Sequence, residues 1–184
     1  MQAVPRRTGP SGACVCAEAS PVSYAGWPKS FGMERVHLCT GILERDGAIL
    51  LVASRYRNHP DPLWNLPGGR QEPYELLEAT LRREFDEEVS LPIQIEHLAY
   101  VAESFDRSTE TQFTNVAFTV RSDGEPRLRR GDLHAVDFAW VPRAEVGARL
   151  PVAVVRVPLL GFLAGEPRGY YGFAEAGITI EFMD

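Results

Sequence analysis

Residues Gly69 to Leu91 read GRQEPYELLEATLRREFDEEVSL. A glycine is followed six residues on by Glu75, then by Arg83-Glu84 and by Glu87-Glu88. Leu77, Leu81 and Phe85 recur at i+4 steps, so residues 74–89 are predicted to be a helix with one apolar stripe. Pro73 stands where a first helical turn tolerates proline, and Pro92 blocks continuation. At ~100° per residue, Glu84, Glu87 and Glu88 fall within one arc of roughly 100°, beside the apolar stripe. Residues 72–88 carry seven acids against two bases. Carboxylates so crowded repel one another unless a positive charge sits among their oxygens. A hard divalent cation is the simplest candidate, magnesium or equally manganese, shared with substrate phosphates. The competing reading is a solvated acidic face held by i,i+4 pairs such as Arg83 with Glu87. The adjoining Pro67-Gly68-Gly69 and the placement of Glu75 weigh against it.

Upstream, residues 36–43 read as a strand, Asp46-Gly47 as a turn and residues 48–54 as a buried strand. A polar loop over 55–63 leads to a short strand at 64–66 and a sharp turn at Pro67-Gly68-Gly69. Downstream, strands are expected over 93–103, 114–121 and 136–141. A short helix opening at Pro142 and a second main helix over 152–163 follow. Aromatic and β-branched residues in 169–182 suggest a terminal hairpin. This order predicts an α/β (α+β) sandwich with a central mixed sheet between helices. Residues 1–32 lack periodicity and hold Pro5, Pro10, Pro21 and Pro28. They read as a disordered extension ahead of a single domain over 33–184.

The chain has 184 residues and a net charge of -6, an ordinary globular composition that argues against a nucleic-acid polymer as main partner. Only Lys29 among the 19 basic residues is lysine, in keeping with a biased genome. Cys14, Cys16 and Cys39 are odd in number and match no metal pattern, so they read as free thiols of a reducing, cytoplasmic compartment. No run of 18 apolar residues suggests a membrane span, and Arg6-Arg7 is followed by no secretory apolar segment.

The segment 69–91 resembles the Nudix box, G-x5-E-x7-R-E-U-x-E-E-x-G-U, in which U is a bulky apolar residue. Gly69, Glu75, Arg83, Glu84, Phe85, Glu87, Glu88 and Leu91 match; Ser90 replaces the family glycine, where it strains the helix cap without removing a ligand. The resemblance implies a Nudix-type α/β/α sandwich. It implies a magnesium- or manganese-dependent hydrolase that cleaves the diphosphate link of a small nucleoside diphosphate derivative by water attack on phosphorus. In family terms Glu84, Glu87 and Glu88 are metal ligands, with the Gly69 carbonyl adding an oxygen, while Glu75 and Arg83 brace the loop and helix. The general base varies in the family. Candidates are the box glutamates, Asp132, Asp137 and Glu103, of which Asp132 is favoured. Arg55, Arg57 and Arg70 are candidate phosphate contacts. Tyr56, Tyr100, Phe105 and Phe113 are candidates for stacking a base. His59 lies in a proline-rich loop, His97 and His134 stand alone, and none has a partner that suggests nucleophilic catalysis or a zinc site. Nudix-fold proteins are often homodimers, and residues 151–163 offer an apolar interface. The alternatives are a non-catalytic Nudix-fold nucleotide sensor and an isoprenoid diphosphate isomerase, for which Cys39 would have to be the catalytic thiol. ADP-ribose-like compounds, nucleotide sugars and nucleoside triphosphates all stay open as substrates.

Overall fold

The structure, a computed structural model, describes residues 32–129 and 134–183. The expectations for residues 1–31, including Cys14 and Cys16, and for Asp132 lie outside them.

Strand β1 (Glu34–Arg45) turns at Asp46 and Gly47, both at positive φ, into β2 (Ala48–Ser54). Then come β3 (Leu63–Asn65), β4 (Gly68–Arg70), helix α1 (Leu77–Val89), β5 (Gln94–Asp106) and β6 (Thr111–Arg121). The chain finishes with β7 (Ala135–Pro142), α2 (Val146–Arg149), α3 (Ala153–Leu163) and β8 (Tyr170–Phe173). The sheet runs β3-β2-β1-β6-β5-β8, with β4 paired to β1 and β7 to β2. It is mixed, because β1–β6 and β5–β8 are parallel and the remaining pairs antiparallel. The mixed sheet between helices is the fold class that the order of elements predicts.

Strand alternation divides β1 between two cores. Cys39 and Leu43 pack with Leu81, Phe85 and Val89 of α1. Ile42 points the other way, into a cluster with Tyr100, Leu159 of α3 and Tyr171 of β8. The apolar stripe expected on α1 is therefore buried against one face of the sheet, and α3 covers the other.

Four expectations need correction. Helix α1 starts at Leu77 rather than residue 74, because Tyr74 has φ +66 and cannot be helical. Gly68-Gly69 is not a turn but part of β4, antiparallel to β1 with Gly69 opposite Cys39. Residues 142–145 do not open the short helix: Pro142 ends β7 and α2 starts at Val146. The terminal hairpin does not form. β8 joins the far edge of the sheet parallel to β5, and among the described residues no second strand follows it.

Candidate active site

The site is built where β4 meets α1. Pro67 O accepts from Gly41 N and His37 O from Gln71 N, both at 2.9 Å, which locks this strip against β1. A β-carbon at Gly68 would strike the Cys39 carbonyl, and Gly68 has φ +138, so the position demands glycine. A β-carbon at Gly69 would stand 2.5 Å from Glu84 Oε1. The two glycines thus leave bare backbone for the carboxylates of α1 to approach. Gly68 N donates to Glu88 Oε2 at 2.9 Å.

Glu84 and Glu88 are buried, at 8% and 2% exposure, whereas the side chain of Glu87 is half-exposed. Burial lifts the Glu84 carboxyl to about 7, against the opposing pull of Arg83. Arg83 anchors the group. Its Nε and Nη2 donate to the two oxygens of Glu75 at 3.0 and 3.1 Å, and Nη2 also donates to Arg70 O at 3.0 Å. Its Nη1 donates to Glu84 Oε1 at 2.9 Å and Glu87 Oε2 at 3.0 Å. Glu75 further accepts from the buried Thr80 hydroxyl at 2.8 Å and from Glu72 N at 3.2 Å. Arg83, then these hydrogen bonds, hold its carboxyl down at about 2.

Among the described residues, no three acid or histidine side chains close around one point. The donor set nonetheless fits a hard divalent ion. Two buried carboxylates lie against bare glycine backbone, a third lies alongside, and Arg83 Nη1 already supplies positive charge between Glu84 and Glu87. An ion that keeps several waters and shares phosphate oxygens needs no complete protein cage.

A cavity of about 330 Å3 adjoins this group, on the α3 face of the sheet. Gly68, Gly69, Arg70 and Glu84 form part of its wall. A more open trough of about 610 Å3 lies on the other side of β4, and Arg70 and Glu84 border both spaces.

The site residues proposed from sequence separate into groups. The structure brings together Gly69, Glu75, Arg83, Glu84, Glu87 and Glu88, with Arg70 beside them. Arg70 also pairs with Glu34 at 2.7 Å. Arg55 and Arg57 are exposed, and neither lines the cavity. Glu103 accepts from Gln112, Thr114 and Tyr170, and Asp137 accepts from its neighbour Phe138 N; neither lines the cavity. Of the proposed aromatics, Tyr56 and Phe113 line it, while Tyr100 is core beneath α3 and Phe105 is no part of the wall.

His134, read from sequence as solitary, lines the cavity with Nδ1 4.0 Å from Glu88 Oε1 and its ring edge-on to Tyr56 at 5.5 Å. Sequence reading also missed Thr40, Asn65, Ser104 and Asn115, and the segment 176–183, as walls of this cavity. Cys39 is fully buried and burial pushes its thiol up to about 12, so it is an inert core residue and not the nucleophile an isomerase would need.

Comparison with known proteins gives the family and the fold. A model described as NUDIX domain matches residues 34–160. The chain belongs to the NUDIX domain family. Among solved structures, a NUDIX hydrolase from Nitrosomonas europaea shares 22% identity at a TM-score of 0.64, covering 74% of this chain and 93% of its own. A MutT protein from Methanosarcina mazei Go1 shares 19% at a TM-score of 0.64, covering 76% and 100%. A MutT NUDIX hydrolase from Burkholderia pseudomallei shares 26% at a TM-score of 0.55, covering 68% and 96%. No curated protein matches the sequence. Among the described residues no helix is long and apolar enough to cross a membrane.

Proposed function

We propose that the protein hydrolyses the diphosphate linkage of a small nucleoside diphosphate derivative, with magnesium or manganese held by Glu84, Glu87, Glu88 and the Gly69 carbonyl. The observation that carries this reading is the burial of Glu84 and Glu88 against the bare Gly68-Gly69 backbone. Arg83 already pairs with Glu84, and a divalent ion would add a second positive charge beside both buried carboxylates. A divalent ion there supplies positive charge to the diphosphate oxygens and lowers the pKa of water beside them.

The chain's own residues do the positioning. Gly68 N fixes one oxygen of Glu88. Arg83 ties α1 to Glu75 and to the Arg70 carbonyl, so the helix face keeps its place against β4. In this reading Arg70, at the junction of the two spaces, exchanges its pairing with Glu34 for a substrate phosphate. A general base takes the proton of the attacking water as the oxygen–phosphorus bond forms and the anhydride bond breaks. We assign that role to Asp132, which stands two residues before the cavity-lining His134 in sequence.

A screen of nucleotide sugars, ADP-ribose-like compounds and nucleoside triphosphates, with magnesium and with manganese, tests the reading through release of phosphate or monophosphate. Glu87→Gln is expected to lower kcat/KM by more than ~100-fold, since even outer partners of a metal ligand are worth about 10–100-fold. Near wild-type turnover by that variant would remove the ligand assignment. Tight nucleotide binding without turnover of any compound would favour a sensor instead.

A further inference from the structure

The family match ends at residue 160, yet the cavity next to the acidic group is completed by residues beyond it. After β8 the chain passes Gly177, at φ +71, and residues on both sides of it border the cavity. Ala176, Ile178, Ile180, Phe182 and Met183 line the cavity. Thr179 and Glu181 are spent on fastening the segment. Asn58 does most of this: its Nδ2 donates to Thr179 O at 2.7 Å and its Oδ1 accepts from Glu181 N at 2.9 Å. Arg57 N donates to Glu181 O at 2.9 Å, and His59 Nε2 lies 2.8 Å from Thr179 O. At the other end Ala176 N donates to Phe105 O at 2.7 Å. The segment is thus clipped to the end of β5 and to the loop after β2, with an apolar row between the clips.

The facing wall has a different chemistry. Thr40, Ser104 and Asn115 come from β1, β5 and β6. Asn115 Oδ1 accepts the Thr40 hydroxyl at 3.2 Å, which leaves the Asn115 amide hydrogens to donate. The acidic and guanidinium side chains on the wall, Glu84 and Arg70, are also the ones that border the open trough, so fixed charge is confined to that junction. Away from Glu84 and Arg70, the described lining is apolar or carries hydroxyl, amide and imidazole groups, the imidazole being that of His134, with no further carboxylate or guanidinium. Such a space suits a neutral, flat ring with hydrogen-bonding edges, and its volume is at the small end of ligand pockets, about 300–1,000 Å3.

We propose that residues 176–182 are a specificity wall of this chain, which selects a nucleobase-like heterocycle on a substrate whose diphosphate lies at Glu84. The position of the diphosphate rests on the hydrolase reading; the chamber's preference for a ring does not.

The test is calorimetric titration of the full chain with AMP, GMP, CMP and UMP against ribose 5-phosphate, which lacks the ring. At least one nucleotide is expected to bind tenfold or more tightly than ribose 5-phosphate. Ile180→Asp, which puts a charge in the apolar row, should erase that preference and leave the ribose 5-phosphate affinity unchanged. Asn58→Ala, which releases the clip without touching the cavity, should weaken the preference several-fold. If wild type binds ribose 5-phosphate as well as every nucleotide, or if both variants keep the preference, the proposal is overturned. Should Ile180→Asp lower Tm sharply, Asn58→Ala decides alone. Base preference in Glu87→Gln with no hydrolysis by wild type would sink the enzyme reading and leave the wall standing.

Discussion

Gly69 and Ser90 show how single positions set this site. Glu84 occupies the space a β-carbon on Gly69 would need, and its flexible end is what would have to give. Gly69→Ala is therefore expected to cost little stability, within about 1 kcal/mol, the usual range for a change that a side chain can absorb. It should lower kcat more than tenfold, because the carboxylate is displaced. Gly68→Ala meets backbone instead and should destabilise the fold by more than ~2 kcal/mol. Urea unfolding of both variants beside their activity separates the two effects. Ser90 is the opposite case. It holds a left-handed conformation, φ 50 and ψ 41, at the end of α1, where Ser90 N bonds Asp86 O and Leu91 N bonds Phe85 O. A non-glycine residue there costs roughly 1–2 kcal/mol, offset in part by the greater entropy glycine loses on folding. Ser90→Gly should stabilise by about 0.5–1 kcal/mol with kcat unchanged; a loss of stability would refute the strained cap.

At the scale of the element, α1 and the strip before it act as one unit through Arg83. Its guanidinium links Glu75, the Arg70 carbonyl and the carboxylates of the helix, and lysine has no fork with which to replace it. The Glu75 end of that link gives a pH signature. Its folded-state carboxyl titrates at about 2, below its ordinary 4.5. The stabilisation is thus present above 4.5 and is lost as pH falls toward 2. Partial exposure screens it, so about 1–2 kcal/mol is expected. Glu75→Gln should lower stability by that amount at pH 7 and flatten the acid limb between 4.5 and 2. Unchanged acid unfolding would show that the pair contributes nothing. The start of α1 follows from the same contacts. The sequence pattern extends helically back to residue 74, but Tyr74 is left-handed and the Glu75 carboxylate turns back to Glu72 N and Thr80.

For the whole molecule, the proposed cation site at Glu84 and Glu88 predicts that folding is coupled to cation binding. If magnesium enters this group in the folded state alone, saturating it at 100 times its Kd should add about 2.7 kcal/mol. A rise in Tm with magnesium that disappears in Glu88→Gln is the expected result. Equal shifts in both proteins would place the ion elsewhere. The measurement needs no substrate, so it is independent of the nucleotide screen.

The acidic group was legible in the sequence because its members lie within one helix and the strip before it. A 3.6-residue period fixes which face they share, and the spacing of Gly69, Glu75 and Arg83 holds within a few turns of chain. Strands β1, β2, β3, β5, β6 and β7 were legible for the same local reason, whereas β4 was expected as a turn. The cavity was not. Its walls come from β1, β3, β5, β6, α3 and residues 176–183, and the clip from Asn58 to Glu181 joins residues 123 apart. Parallel pairing of β1 with β6 and of β5 with β8 determines which side chains meet there, and no local period encodes that register. The same fact explains the hairpin that did not form: residues 170–173 found their partner across the sheet in β5, which sent the following residues over the cavity. The sequence alone determined which carboxylates share one face of α1 beside Gly69. The tertiary structure decided which segments wall the neighbouring cavity, because distant segments acquire a common surface only when the chain folds.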